Sequence, residues 1–238
     1  MLQNFYKTIR ISAILALVPC SYINPLLAQG EINIRAGLNN SWLYDIGSSD
    51  EYRYGEPEFD HKQAYYLGFS YYKPNNKRIR LESDINICSK FASIYASSGG
   101  IGSYTTIDAE YSLYYADISV YPAVTFGDKL NFIASIRPNI GLMFASSRSG
   151  EESYWAMSDE PYTNTFSTSP VSGDGKEEFA VISFDVAFNV RLERALTEKS
   201  AILIECQYSK GLNNISKLNE FKYNFNNVLV GTGIVLRL

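Results

Sequence analysis

Eight segments of this sequence alternate apolar with polar residues, and this period of two limits the possible folds more than any other feature. In the first segment Ile32, Ile34 and Ala36 alternate with Asn33 and Arg35. Successive side chains of a β-strand point to opposite faces, so each segment is predicted to be a strand with one apolar face. The eight segments are residues 32–44, 64–71, 79–91, 117–126, 130–144, 182–193, 202–209 and 228–238.

The connections between these segments alternate between long and short. The short turns are 74–77, 127–129 and 194–199, and the long stretches are 45–62, 92–106, 145–178 and 213–224. Outer-membrane barrels have short periplasmic turns and long external loops. The predicted fold is therefore all-β, an eight-stranded antiparallel up-and-down transmembrane β-barrel. It is expected in the outer membrane, with both termini periplasmic.

The beginning of the chain has the features of an export signal. Lys7 and Arg10 form a basic region, and residues 11–19 form a short apolar region. This combination is typical of a secretory signal peptide. Cleavage is expected after Ala28 or Gln29.

Residues 1–29 are therefore predicted to be a signal peptide and 30–238 the barrel domain. An uncleaved anchor is one alternative, but its apolar run falls short of the roughly 20 residues that a spanning helix needs. Lipidation at Cys20 is another, although Pro19 is not the small residue expected before a lipidated cysteine. Residues 1–29 hold two basic and no acidic residues, so their removal changes the net charge from −4 to −6.

The polar face of the predicted strands is the one expected to line the barrel. It contains many glycines, such as Gly37, Gly68 and Gly141, which weaken strands but fit a narrow interior. It also carries charges of both signs, which can pair across the lumen. The predicted polar network of the lumen consists of Arg35, Arg80, Glu82, Asp84, Asp117, Arg137, Asp185, Arg191 and Glu205.

Aromatic residues gather near the ends of the apolar face. Near one rim lie Trp42, Tyr44, Phe91 and Phe144, and near the other lie Tyr71 and Phe126. Aromatic belts mark the two interfaces of a bilayer. A soluble barrel around a ligand would bury this face instead, and ordinary core packing would then explain the aromatics. The export signal and the loop lengths favour contact of the apolar face with lipid.

Four residues interrupt the pattern. Asp108 and Glu110 fall on the apolar register of the fourth strand, so we expect either a position above the bilayer or a bulge that shifts the phase. Pro122 and Pro138 lie inside strands, where each removes a ladder hydrogen bond, so bulges or local breaks are expected there.

Composition argues against several other classes of protein. The mean hydropathy of −0.13 and the absence of a long apolar run disfavour a helical membrane protein. The acidic balance disfavours a nucleic-acid partner, which needs a basic surface. Cys88 and Cys206 are expected on opposite faces of different strands, so a disulfide is not predicted. No Cys or His spacing indicates a metal site, and no cofactor is predicted.

Candidate chemistry is confined to the long connections. The one histidine, His61, has no nucleophile at a fixed offset, so a solvated loop residue is favoured over a hydrolase base. Carboxylates of the first long connection offer oxygen ligands for Ca²⁺, but their spacing fits no calcium-binding motif, and a solvated charged loop is favoured. These carboxylates are Asp45, Asp50, Glu51, Glu56, Glu58 and Asp60.

The third long connection carries the aromatic residues Tyr154, Trp155 and Tyr162 among Ser, Thr and acidic residues. Exposed aromatics mark many binding surfaces. Packing on the barrel rim is an equally good interpretation. We treat these three residues as a candidate contact surface.

Five short motifs together resemble the PorT-like outer-membrane β-barrel proteins of Bacteroidota. Residues 34–39 resemble the opening strand of that family, and Leu81-Glu82 its third-strand glutamate. Residues 115–118 are similar to its Tyr-x-Glu-Ile motif, and residues 138–141 to its Pro-x-x-Gly. Residues 208–215 are similar to its Tyr-x-x-Gly-Leu-x-x-Ile.

This resemblance covers nearly the whole chain after the signal peptide and implies the fold and the compartment. It implies no single activity, although PorT itself is tied to type IX protein secretion. The chain departs from the family pattern at Ser119, where the family usually has Pro, and Pro122 follows later. That departure leaves the register of the fourth strand open.

The function predicted from the sequence is non-enzymatic. An eight-stranded barrel is just wide enough for side chains to fill, so long polar side chains such as Arg35 and Arg137 are expected to plug it. The chain is then a structural or interaction protein whose external loops contact other molecules. Outer-membrane lipid and other envelope proteins are the candidate partners. A subunit of a type IX secretion or envelope-assembly machine is the alternative, and a lipid-modifying enzyme is a weaker one.

Overall fold

The computed structural model describes residues 30–45, 62–73, 78–100, 103–127, 130–157, 164–174, 176, 178–217 and 222–238. These residues form nine β-strands: β1 (Glu31–Asp45), β2 (Lys62–Lys73), β3 (Ile79–Gly100), β4 (Ser103–Phe126), β5 (Leu130–Met157), β6 (Asn164–Gly173), β7 (Ile182–Thr197), β8 (Ser200–Gly211) and β9 (Tyr223–Arg237). The predicted signal peptide with its cleavage site at Ala28 or Gln29 lies outside the described residues, as do His61, Tyr162 and the acidic residues 50–60.

Eight of these strands form a closed barrel. β1 to β5 pair antiparallel in chain order, β5 then pairs with β7, and β7 to β9 continue the series. β1 closes the barrel on β9 along its whole length, from Glu31↔Arg237 to Asp45↔Tyr223. The predicted eight-stranded antiparallel up-and-down barrel is confirmed. We call the end at which β1 ends the upper end, and the short turns lie at the lower end.

Side chains alternate between the lumen and the outer face along each barrel strand. On β3, Glu82 and Asp84 point inward and are buried, whereas Leu81 and Ile85 point outward and are 62% and 48% exposed. The outward positions of the other barrel strands are likewise apolar, as at Ile136 of β5. A charged interior inside an apolar outer surface suits a protein surrounded by lipid and is the reverse of a soluble barrel.

Two glycines make room for polar side chains that cross the lumen. A Cβ atom on Gly68 would lie 2.8 Å from Nη2 of Arg35. A Cβ atom on Gly231 would lie 1.8 Å from the hydroxyl oxygen of Tyr66. The small residues of the polar face therefore create the space that the large polar side chains fill.

The prediction that 92–106 and 145–178 are loops is wrong over most of these residues. β3 continues to Gly100, and β4 begins at Ser103, so these strands form one long hairpin. β5 continues to Met157, and β6 returns beside its upper part only. Strands of 24 and 28 residues far exceed the 9–11 that a bilayer needs. We call the upper parts of β3, β4 and β5 together with β6, residues 92–100, 103–113, 145–157 and 164–173, the protruding sheet.

Backbone pairing explains why these residues are strands despite their weak alternation. The segments are rich in residues that favour β structure, such as Ile94, Tyr95, Thr105 and Thr106. Only the lowest part of the protruding sheet has a buried face, at Ala92, Ala109, Tyr111 and Leu113. Above these residues both faces are at least partly exposed, so an apolar face is not required there. The cross-strand hydrogen bonds are nevertheless the same as in the barrel.

A bulge in β5 marks the base of the protruding sheet. The β4–β5 register shifts between Tyr114, which pairs with Ala145, and Tyr115, which pairs with Met143. Phe144 is therefore the extra residue, and it reverses the inward and outward positions of β5 above it. β4 keeps its phase, so Asp108 and Glu110 remain on its outer face, within the protruding sheet.

The two strand prolines meet at one local break. The β4–β5 ladder is interrupted at Val120–Pro122 of β4, which face Ile136–Pro138 of β5, and it resumes in the same register. Each proline lacks the N–H that a ladder bond needs. The local break expected at these prolines is confirmed. Pro122 still lies beside Leu81 of β3.

Further features agree with the sequence-based expectations. Gly127 in the β4–β5 turn has a φ of 94°, a backbone conformation that favours glycine. Cys88 is buried in the lumen and Cys206 is exposed on the outer face, and both are free thiols. Within the described ranges, no helix has the length and apolar character needed to cross a membrane.

Candidate functional site

The lower half of the lumen contains a closed ring of four charges, which we call the lower ring. Arg191 Nη2 donates to Glu82 Oε1 at 2.6 Å, and Arg80 Nη2 donates to Glu193 Oε1 at 3.1 Å. Arg80 Nε lies 2.5 Å from Glu82 Oε1, and Arg191 Nε lies 2.9 Å from Glu193 Oε1. Each guanidinium thus contacts both carboxylates. The four residues come from β3 and β7 on opposite sides of the barrel.

A second ring, the upper ring, lies directly above the first. Arg35 Nη1 donates to Glu205 Oε2 at 3.0 Å, and Arg35 Nη2 donates to Asp84. Arg137 Nη1 donates to Asp84 Oδ2 at 2.7 Å, and its Nη2 lies 3.8 Å from Glu205 Oε2. The ring therefore again holds two arginines and two carboxylates in alternation. Its residues come from β1, β3, β5 and β8.

Tyrosine side chains fill the space around the two rings. Tyr66 donates to Glu205 Oε1 at 2.7 Å, and Tyr121 donates to Glu82 Oε2 at 2.9 Å. The guanidinium of Arg137 lies 4.4 Å from the centre of the Tyr121 ring. Arg35 and Arg137 are each only 1% exposed. The rings therefore block the lumen, as expected for an eight-stranded barrel.

A third polar layer surrounds Lys90. Its Nζ lies 3.5 Å from Asp117 Oδ2 and 3.9 Å from Asp185 Oδ2. Asn139 donates to Asp185 Oδ1 at 2.6 Å, and the thiol of Cys88 donates to Asp117 Oδ2 at 3.3 Å. This layer holds one ammonium group between two carboxylates.

An apolar plug closes the lumen above Lys90. Phe179 packs edge-on against Tyr111, with ring centres 5.0 Å apart, and lies beside Phe225 at 6.5 Å. Phe179 and Ile215 come from the connections after β6 and β8, and Ala180 N donates to Ile215 O at 2.7 Å. Phe179 and Ile215 pack together with Tyr111 and Phe225 at the upper end of the lumen, so the lumen is polar below and apolar at its upper end.

Polar contacts hold the base of this plug. Arg148 Nη1 lies 2.7 Å from Glu178 Oε1, and Tyr111 also donates to the Glu178 carboxylate. Ser146 donates to the carboxylate of Asp174. This hydrogen bond, together with one from the Lys176 backbone N–H at 3.0 Å, lowers the pKa of Asp174. Because the bulge at Phe144 reversed the phase of β5, Arg148 reaches the interior.

The structure places all nine residues of the predicted polar network inside the barrel. It divides them among the two rings and the layer around Lys90. Sequence analysis did not assign Lys90 or Glu193 to the network, although both lie on the polar register of their strands. Tyr66 was also missed, although it alternates with outward Tyr65 and Leu67. Parity along the strand would have identified all three.

The protruding sheet carries a row of aromatic side chains near its upper end. Tyr104 of β4 stacks on Trp155 of β5, with ring centres 5.4 Å apart. Phe166 of β6 is paired with Trp155 and is 65% exposed. Tyr154 lies on the opposite face of the sheet, between Thr105 and Ser167. Of the predicted contact residues, Trp155 therefore belongs to the aromatic row and Tyr154 does not.

In the part of the chain that the structure describes, no group of three or more His, Cys, Asp or Glu side chains is arranged to hold a metal ion. The lumen carboxylates of the rings contact arginines instead.

Comparison with known proteins finds similarity in fold only. The outer membrane protein OprG of Pseudomonas aeruginosa aligns with 89% of this chain and 98% of its own, at a TM-score of 0.45 and 12% identity. Neisserial surface protein A aligns with 87% of this chain and 97% of its own, at a TM-score of 0.41 and 11% identity. The Yersinia pestis attachment invasion locus protein Ail aligns with 87% of this chain and 99% of its own, at a TM-score of 0.36 and 13% identity.

No family model and no curated protein matches this sequence. The comparisons thus add no support for the PorT-like family or for Bacteroidota. The number, order and closure of the strands carry the assignment of the fold, which is that of an outer-membrane β-barrel.

Proposed function

We propose that this chain is a non-enzymatic integral outer-membrane protein with a blocked lumen, which acts through contacts of its outer and upper surfaces. The two stacked rings of ion pairs carry this proposal. They are formed by buried arginines and carboxylates that cross the lumen from opposite strands, and the apolar plug lies above them. Such a filled interior suits a stable scaffold rather than a channel.

The proposed orientation follows from the connections. The turns at the lower end are short, and the protruding sheet lies at the upper end. Outer-membrane barrels direct short turns to the periplasm. We therefore assign both termini to the periplasm and the protruding sheet to the cell exterior.

A conductance measurement tests the blocked lumen. The refolded chain in a planar bilayer should give no stable current steps, because ions cannot pass two rings of paired charges and an apolar plug. A large porin, whose 16–18 strands leave an aqueous channel, serves as the positive control in the same bilayer. Reproducible current steps from the refolded chain would contradict the proposal.

The protruding sheet is the proposed contact surface. Its row of Tyr104, Trp155 and Phe166 places aromatic side chains where the barrel rises beyond the lipid. Exposed aromatics of this kind are frequent in contact surfaces. Outer-membrane lipid surrounds the barrel, and other envelope proteins are the proposed partners of the sheet.

Two alternative functions come from the sequence alone. A role in type IX secretion or envelope assembly follows only from the PorT-like resemblance, and secretion assays on a deletion strain test it. A lipid-modifying activity would depend on His61, and unchanged lipid A after His61→Ala would remove it.

A further inference from the structure

The seam between β2 and β3 opens towards the upper end of the barrel. The ladder between these strands runs from Lys73↔Leu81 to Tyr66↔Cys88 and stops there. Neither strand ends at that point. β2 continues to Lys62, paired with β1, and β3 continues to Gly100, paired with β4.

Side chains of β1 replace the missing part of this ladder. Asn39 Nδ2 donates to the carbonyl oxygen of Ser89 at 2.9 Å, and the backbone N–H of Phe91 donates to Ser41 Oγ at 2.9 Å. Between β1 and β3, the β2 residue next to Asn39 is Ala64, whose small side chain is buried. Unpaired backbone groups are costly within a bilayer. The open seam is therefore a stabilised feature of the barrel and not a frayed strand.

This seam forms a cleft of about 470 Å³ on the outer surface. Ala64 and Cys88, which face the lumen, line its inner side. An ion pair between Lys62 of β2 and Glu110 of β4 spans β3 on the outer face. The residues of the cleft that lie on or beside the outer surface are Gln63, Tyr65, Leu67, Ile87, Ser89, Phe91 and Tyr114.

The depth of the cleft in the membrane follows from β2. Lys62 and Lys73 begin and end this strand and enclose ten residues, about the length of a strand that crosses the hydrocarbon layer. Tyr65 and Leu67 lie in the upper part of that span. The cleft therefore opens at the depth of the acyl chains of the upper leaflet, below the polar level of Lys62.

We propose that this cleft binds one acyl chain of an outer-membrane lipid from the upper leaflet. The inference rests on the proposed placement of the barrel in a membrane. The walls are largely apolar and aromatic, the position excludes water-soluble ligands, and the volume lies in the range of small-molecule sites. A chain in the cleft would contact Ala64 and Cys88 at its inner side as well as the outward side chains of β2, β3 and β4.

A matched pair of substitutions tests this site. Ser89→Phe fills the cleft, and Ser83→Phe places the same side chain on the outer face of the same strand beside Tyr71. The full chain is refolded in mild detergent with palmitoyl-oleoyl-phosphatidylethanolamine and measured by native mass spectrometry. The wild-type barrel and Ser83→Phe should retain one lipid, and Ser89→Phe should retain it about tenfold less, because it removes the chain's van der Waals contacts.

A second matched pair covers the case in which Ser89→Phe does not fold. Ile87→Trp should reduce retention, whereas Ile85→Trp, two residues away on the same face, should not. Palmitate should displace the retained lipid, because the acyl chain is the part of the lipid that the cleft binds. Equal retention in both members of a pair, or no retained lipid in the wild type, would overturn the proposal. Heat-modifiable gel migration reports folding separately, so these results do not depend on the blocked lumen.

Discussion

In each of the two rings, two arginines balance the charges of two carboxylates. Arg35 contacts Asp84 and Glu205, and Arg137 contacts the same two carboxylates. Removing one arginine therefore leaves two buried carboxylates with a single partner. A buried charge without compensation is costly, whatever the net value of the intact pair.

Arg35→Met should lower the free energy of unfolding by about 3–5 kcal/mol. The measurement is urea-induced unfolding of the barrel in lipid vesicles. Arg194→Met, at an exposed position near the lower end of β7, is the control and should have little effect. In the double variant Arg35→Met with Glu205→Gln, the free energy of unfolding should fall by less than the sum of its decreases in the two single variants. A loss for Arg35→Met no larger than that of the control would contradict this interpretation of the ring.

Strand parity predicted which residues line the lumen but not which of them pair. Arg35, Asp84 and Glu205 were all expected inside from their positions in alternating segments. Their contacts depend on the tilt and stagger of the strands, which a period of two does not specify. The division into two rings therefore required the structure.

At the level of elements, sequence alternation identified the barrel strands and failed above the membrane. The pattern arises because lipid or the lumen demands one type of residue on each face. In most of the protruding sheet both faces are at least partly exposed, so the alternation is weak over residues 92–100 and 145–157 although the backbone pairing continues. The bulge at Phe144 lies at this boundary. The local break at Pro122 and Pro138 was predicted correctly, because the missing N–H of a proline can be read directly from the sequence.

Removal of the upper part of the protruding sheet should leave the barrel intact. Residues 151–170 are replaced by Asn-Gly, which joins the paired residues Gly150 and Val171. Both rings and the contact of Arg148 with Glu178 remain, so the free energy of unfolding should change by less than about 1 kcal/mol.

The same truncation separates folding from partner binding. Envelope proteins that co-purify with the intact chain in mild detergent should be lost from the truncated chain. The double variant Trp155→Ser with Phe166→Ser, which keeps the sheet length, should show the same loss. A truncated chain that no longer shows heat-modifiable migration would mean that the sheet is needed for the barrel itself.

For the whole molecule, the asymmetry of its two ends is the basis of the proposed orientation in the membrane. The short turns crowd one end, and the plug and the protruding sheet occupy the other. The two thiols within the described residues offer little background for chemical labelling, because Cys88 is buried and Cys206 lies on the apolar outer face.

Glu151→Cys in the protruding sheet should react with a membrane-impermeant maleimide on intact cells. Glu198→Cys, in the turn between β7 and β8, should react only after the outer membrane is broken, because that turn is assigned to the periplasm. Both positions are exposed glutamates, so their intrinsic accessibility is matched. The opposite labelling pattern would reverse the assigned orientation.

The two rings have a consequence for how this chain assembles. Arg35 and Glu205 are 170 residues apart in sequence, and Arg191 and Glu82 are 109 apart. Arg80 and Arg191 each contact a carboxylate of their own strand, so part of the lower ring can form before the barrel closes. Arg35 and Glu205, in contrast, lie on β1 and β8 and meet across the β1–β9 seam, so the upper ring is completed only when β1 pairs with β9. Closing the barrel is therefore also the step that completes the charge compensation of the lumen.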